Sequence, residues 1–313
     1  MRWLALFFWC GLAFAQSFPS KPLKLITPFP PGGSADVIAR LTAQKLAENM
    51  GQPVVVDNRG GAGGLVGTEY AAKQPPDGYT LVLITGAYPV QAAMLKQMPF
   101  DPLADVAMVS LLTSYPFVIS VRADSPFRTL GDLIAAAKAN PGKLNYPSSG
   151  IGTVHHLSGE LLNAMAGIDI THVPFRGGAS PLTEVLGGRV DLLLEAMTLS
   201  IGQIQSGKLR ALAVTSRERW KALPNVPTVA ETVPGYEVNS FIGLGASGGT
   251  PRDLVERLNT EVRKALASPE TRQRFVDLGG EPGATSPEEM KRFIGSEIAK
   301  WREVIALRKI ERQ

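Results

Sequence analysis

Cysteine is almost missing from this chain. The 313 residues hold one, Cys10, so no disulfide can form within the chain and the fold must rest on its buried core. Histidine is nearly as scarce, with three: His155, His156 and His172. His156 and Glu160 share a helix face, but the H-E-x-x-H order is missing, and one polar helix face accounts for these residues without a metal. There is no G-x-x-x-x-G-K-[ST] loop, the usual cradle for ATP or GTP. There is no G-x-S-x-G elbow, no cysteine nucleophile and no spacing that pairs carboxylates, so the sequence reads as a binder rather than an enzyme. Lysine and arginine never run beyond two in a row, and acids are interspersed among them. A nucleic-acid binder would cluster its bases, so none is expected as a partner. The net charge of +4 is a mild bias that draws anions.

Long apolar runs are confined to the N-terminus. Met1-Arg2 is a short positive segment, residues 3–14 are apolar, and Ala13-Phe14-Ala15 has the A-x-A form of a cleavage site. Residues 1–15 are therefore read as a secretory signal peptide. The run is too short to span a bilayer, which takes about 20 residues. Phe8 and Trp9 precede Cys10 where a lipoprotein needs small or aliphatic residues, so no lipid anchor is expected. The mature chain would begin at Gln16, without cysteine and without membrane insertion. Its roughly 298 residues suit two domains.

Strand-like segments at 23–27, 54–57, 79–85, 117–121, 144–146, 170–173, 190–194 and 209–215 alternate with helical ones. That alternation implies parallel βαβ units. Ser34 is placed to cap a first helix whose inner face is Val37, Ile38 and Leu41. Thr129 and Asp132 form a capping box. Thr250-Pro251 reads as an N-cap followed by proline at N1, and Ser286-Pro287-Glu288-Glu289 as another capping box. The apolar stripes Leu254, Leu258, Val262, Leu266 and Met290, Ile294, Ile298, Trp301, Ile305 should cover the first lobe. The fold class expected is α/β with two lobes: 16–120 plus 243–313, and 121–242. Ligands of such sheets bind at the carboxyl ends of strands.

Two loops fit that position. In Pro28-Phe29-Pro30-Pro31-Gly32-Gly33-Ser34, glycines let a ligand approach the backbone of a helix start, where free N–H groups and the helix dipole attract an anion. Ser148-Ser149-Gly150-Ile151-Gly152-Thr153 repeats the construction in the second half. Two such loops across one cleft suit a negatively charged ligand. The glycine-rich 58–67 segment fails the G-x-G-x-x-G spacing, because Gly61 and Gly63 are followed by Val66, and Asp77 falls in a turn. No cofactor is expected.

Several segments together resemble the Bug/TctC family of solute-binding proteins of tripartite tricarboxylate transporters. They are Pro28-Phe29-Pro30-Pro31-Gly32-Gly33-Ser34-Ala35-Asp36, Asn58-Arg59-Gly60-Gly61-Ala62-Gly63-Gly64, Pro76-Asp77-Gly78-Tyr79-Thr80-Leu81, His172-Val173-Pro174-Phe175-Arg176-Gly177-Gly178, Leu209-Arg210-Ala211-Leu212-Ala213-Val214-Thr215 and Pro224-Asn225-Val226-Pro227-Thr228-Val229-Ala230-Glu231. The resemblance spans the mature chain in order. It implies a monomeric Venus-flytrap protein in the periplasm, hinged on crossover strands, which captures a small organic carboxylate for a membrane permease with one large and one small subunit. It implies that the carboxylate is held at Phe29, Gly33, Ser34 and Ala35 and at Ser148, Ser149, Gly150 and Thr153, partly through backbone and bridging water. Gly86, Ala87 and Tyr88 would line the far side, and His156 the distal end. The chain departs from the family at Tyr88-Pro89-Val90-Gln91 and at the pair His155-His156, where the identity of the ligand would be set. A carboxylate sensor for a signalling receptor, or a secreted α/β enzyme, are the alternatives of other classes.

Overall fold

A short apolar segment opens the fold as β1 (Leu23–Thr27), with four of its five residues buried. The structure is a computed structural model and describes residues 18–177, 179–307 and 310–312. The leader expected at 1–15 lies outside them. From β1 the chain alternates through α1 (Ser34–Met50), β2 (Val54–Asn58), α2 (Leu65–Ala72), β3 (Thr80–Thr85) and α3 (Ala87–Met94). β1 lies between β2 and β3, parallel to both, as short βα connections require.

β4 (Val106–Arg122) then runs for 17 residues and serves both lobes. The second lobe follows: α4 (Leu130–Ala139), β5 (Asn145–Ser148), α5 (Val154–Ala166), β6 (Thr171–Pro174), α6 (Ser180–Leu186), β7 (Leu193–Ala196), α7 (Met197–Gln205) and β8 (Leu209–Val214). The chain returns through β9 (Asn239–Ser247) and ends with α8 (Arg252–Ala267), α9 (Pro269–Asp277), β10 (Glu281–Pro282) and α10 (Pro287–Leu307). The first lobe's sheet has the order β10-β4-β9-β3-β1-β2.

β4 exchanges partners half-way. Its residues from Val106 to Pro116 pair with β9, and from Phe117 onward it pairs with β7 and β8. Proline has no N–H to give a ladder and is tolerated where pairing changes. Pro116 stands at that point, opposite Asn239 of β9. The lobe boundaries expected at 120/121 and 242/243 lie within β4 and β9. β9 carries glycine where neighbours press in: a Cβ on Gly243 would lie 2.2 Å from the Met290 methyl.

Both C-terminal stripes cover the first lobe. α8 packs on α1 and β4, and α10 on α3 and β4. Met290, Ile294, Ile298, Trp301 and Ile305 are all buried, each large apolar side chain contributing about 1.5–3 kcal/mol. The capping boxes form at Thr129–Asp132 and at Ser286–Glu289. Two expected caps do not form. Gly33 occupies the N-cap of α1, with no side-chain cap. Pro251 occupies the N-cap of α8, while the Thr250 hydroxyl donates backward to the Ser247 carbonyl at 2.7 Å. The strand expected at 190–194 begins only at Leu193, because Asp191 and Asn145 exchange side-chain bonds with each other's backbone. Among the described residues no helix is long and apolar enough to cross a membrane.

Candidate ligand-binding site

Four helix starts meet at one cavity between the lobes. α1 contributes Gly33, Ser34 and Ala35 with Phe29 ahead of them, and the β3–α3 junction contributes Thr85, Gly86 and Ala87. From the second lobe come Ser149, Thr153, Val154 and His155 around the start of α5, and Glu195 and Ala196 at the start of α7. Tyr115 and Phe117 of β4 and Ser240 of β9 form the floor where the lobes join. The cavity encloses about 520 Å³ including its mouth.

The first four N–H groups of a helix have no partner within it. A side chain usually takes one of them, yet α1, α3 and α7 start at Gly33, Gly86 and Ala196 with no side-chain cap. These three N-caps all line the cavity. The Ser34 hydroxyl is buried there without any partner, which costs about 1–3 kcal/mol unless something fills the need. No lysine or arginine is among the described lining residues. The cavity thus offers unmet donors and helix dipoles rather than a full positive charge, the provision for a small anion. Tyr115 adds a further donor, since burial raises its phenol well above the ordinary range.

The loop of the first lobe is braced from behind. Asp36 accepts two bonds from Arg40, at 3.0 Å each, and one each from the Gly32 N–H and Asn58. Burial alone would raise this carboxyl, but Arg40, Gly32 and Asn58 outweigh it and hold it below its usual value. The lobes already touch. Gln91 Nε2 of α3 donates to the Gly152 carbonyl at 3.2 Å, and a Cβ on Gly86 would lie 2.8 Å from Val154 and 2.6 Å from Ser240 Oγ. Only glycine allows that approach.

A sequence profile described as "Tripartite tricarboxylate transporter family receptor" matches residues 38–310. The chain belongs to that family. BugT of Bordetella pertussis is 36% identical over 294 residues, covering 93% of this chain and 90% of BugT. An R. palustris protein solved with adipate superposes with a TM-score of 0.90 at 38% identity, covering 94% of this chain and 99% of that one. MatC from Rhodopseudomonas palustris, with bound malate, superposes at 0.87 with 31% identity, covering 92% and 100%.

In this receptor, eight of the residues singled out in the sequence come together at the cavity: Phe29, Gly33, Ser34, Ala35, Gly86, Ala87, Ser149 and Thr153. Four others point elsewhere. Ser148 is fully buried behind the loop, with its Oγ 2.6 Å from His172 Nε2 and accepting the Gly150 N–H at 3.1 Å. Gly150 sits outside the cavity at an outer groove. Tyr88 lies within a helix rather than a loop, and its hydroxyl donates to the Pro102 carbonyl at 2.7 Å. His156 stacks on His172 with centroids 4.3 Å apart. Thr153 touches the cavity, but its hydroxyl is engaged, donating to Gly150 O at 2.7 Å and capping α5.

His155 is the histidine that lines the cavity. Its Nε2 lies 2.8 Å from Glu195 Oε1, and its Nδ1 lies 3.1 Å from Ser149 Oγ. Its ring edge packs on Phe117. Hydroxyl, imidazole and carboxylate follow in the order of a hydrolase triad, with the two ring nitrogens exchanged. Glu195, Tyr115, Phe117 and Ser240 were not anticipated, since their meeting depends on how β4, β7 and β9 align. Among the described residues no group of three or more His, Cys, Asp or Glu could hold a metal.

Proposed function

We propose that the protein captures a small organic carboxylate between its lobes and delivers it, in the periplasm, to a permease with one large and one small subunit. One observation carries the reading: the buried Ser34 hydroxyl has no partner, in a cavity ringed by three uncapped helix starts. A carboxylate satisfies such donors, and a neutral ligand would leave the dipoles unused. Adipate and malate in the related proteins belong to the same chemical class. The A-x-A site at Ala13-Phe14-Ala15 supports export, and the match to a transporter receptor family supports the permease.

The test is native mass spectrometry of the purified protein, followed by calorimetric titration with the acid found and with malate, adipate, glutamate and benzoate. At least one acid should bind at micromolar concentration. No heat from any of them at millimolar concentration would contradict the reading. Cells lacking the permease should secrete the protein normally but fail to take up the bound acid.

A further inference from the structure

We propose that carboxylate capture in this cavity takes up a proton, and that Glu195 and His155 are the positioning residues responsible. The inference rests on the carboxylate reading above. Its starting point is the chain Glu195–His155–Ser149, spanning β7, α5 and the loop between β5 and α5. Glu195 is 3% exposed. Its Oε1 accepts the Ala196 N–H at 2.8 Å and lies 2.8 Å from His155 Nε2, and an ionised carboxylate can only accept. His155 must then present an N–H at Nε2.

The tautomer decides the rest. In a neutral imidazole with the proton on Nε2, Nδ1 is an acceptor. The single hydroxyl proton of Ser149 must point at Nδ1, and Ser149 turns only lone pairs toward the cavity. Those lone pairs repel a carboxylate. When His155 gains a proton, Nδ1–H donates to Ser149 Oγ instead. The Ser149 hydroxyl proton is released to point into the cavity, where a carboxylate accepts it. One proton taken from solvent thus converts an acceptor facing the ligand into a donor.

The groups around His155 leave this step to the ligand. Glu195 faces it from β7, Ser149 from the loop, and the uncharged ring of Phe117 from β4. Tyr115 of β4 lines the same cavity and stays protonated. From α1 the nearest charges are Asp36 and Arg40, paired with each other. His156 stacks on His172 and makes no bond to His155. No lysine or arginine among the described lining residues competes as counter-charge. An incoming carboxylate therefore favours the imidazolium, and by linkage the imidazolium favours the carboxylate.

The experiment is calorimetry with the tightest binder among malate, adipate, glutamate and benzoate. Titrations from about pH 6.5 to 8.5, where carboxylates are ionised, are run in buffer pairs of different ionisation heat, which counts protons per ligand bound. Wild type should take up more than about half a proton at some pH in that range, with affinity falling up to tenfold per pH unit on the alkaline side. His155→Asn keeps a polar group near Ser149 but cannot titrate, so uptake should vanish and the affinity profile flatten. Glu195→Gln should move the uptake to lower pH and weaken binding tenfold or more at pH 8. Thermal melts check that both variants fold. If wild type binds an acid without taking up a proton, or if His155→Asn takes up as many as wild type, this inference fails while the carboxylate reading stands. If neither these four acids nor the acid found by native mass spectrometry binds, both fail.

Discussion

The starts of α1 and α5 open on the same cavity from different lobes, and both follow loops of glycine and serine. They differ in what is left unsatisfied. At α5 the Thr153 hydroxyl caps the helix, Ser148 is tied to His172, and Ser149 is tied to His155. At α1 no side chain caps the helix, and the Ser34 hydroxyl has no partner at all. The polar side chains at the start of α5 close on one another, whereas at α1 they do not, so of these two loops the one before α1 leaves a deficit that a ligand can fill. The lesson is that two loops alike in sequence can divide the work, one supplying unmet donors and the other supplying a preset surface.

The largest effect should come from wedging the two faces apart. Gly86→Val puts a branched side chain where even a Cβ meets Val154 and Ser240. Affinity should fall by 100-fold or more while circular dichroism remains native; near-wild-type binding would show that the lobes need not approach there.

Next comes the direct contrast. Ser34→Ala should weaken binding roughly tenfold to a hundredfold, the worth of a hydrogen bond to a charged group. It should leave the unliganded melting temperature unchanged or raised, because it removes a buried orphan. Ser148→Ala should do the reverse, lowering the unfolding free energy by about 1 kcal/mol of lost bracing, and the melting temperature with it, with a smaller effect on affinity. If Ser148→Ala proves the worse binder and the more stable protein, the division between the two loops is wrong.

A smaller effect is expected at Gln91. Its bond to the Gly152 carbonyl links the lobes directly, and Gln91→Leu removes about 1 kcal/mol of that linkage. Small-angle scattering of the unliganded variant should show a larger radius of gyration, with affinity only a few-fold lower. An unchanged radius would mean that other contacts set the closed population.

The smallest effect is on stability against pH. Burial, helped by the neighbouring His156, pushes His172 down to about 4, and burial lowers His156 as well. The unfolded chain then binds more protons than the folded one below the ordinary histidine value of about 6.5. Stability is complete above that pH and declines as pH falls toward 4. A melting temperature lower by on the order of 5 °C at pH 4.5 than at pH 7 is expected, and His172→Gln should flatten that slope.

Much of this was legible in the sequence, for local reasons. The strands at Leu23–Thr27 and Leu209–Val214 are short apolar runs, and Thr129–Asp132 is a capping box whose partners lie three residues apart. Ser34 was rightly linked to the helix start but given the role that Gly33 takes. The sequence marks β4 as a strand only from Phe117, since the exchange of partners at Pro116 is visible only in the pairing of β4 with β9. His155 and His156 are neighbours in sequence but lie about 100° apart around a helix. Only the position of the Thr153 cap decides which faces the cavity. Glu195 was invisible as a site residue, since 40 positions separate it from His155 and the approach of β7 to α5 brings them together.

The most direct test is a crystal structure with the tightest-binding acid. A carboxylate oxygen should lie within about 3.2 Å of Ser34 Oγ and of the Ala35 backbone N–H, with the Ser149 hydroxyl on the same ligand. The contradicting result is an empty cavity with the acid bound elsewhere, for instance in the groove behind the hinge lined by Arg217, Arg219, Lys221 and Lys300.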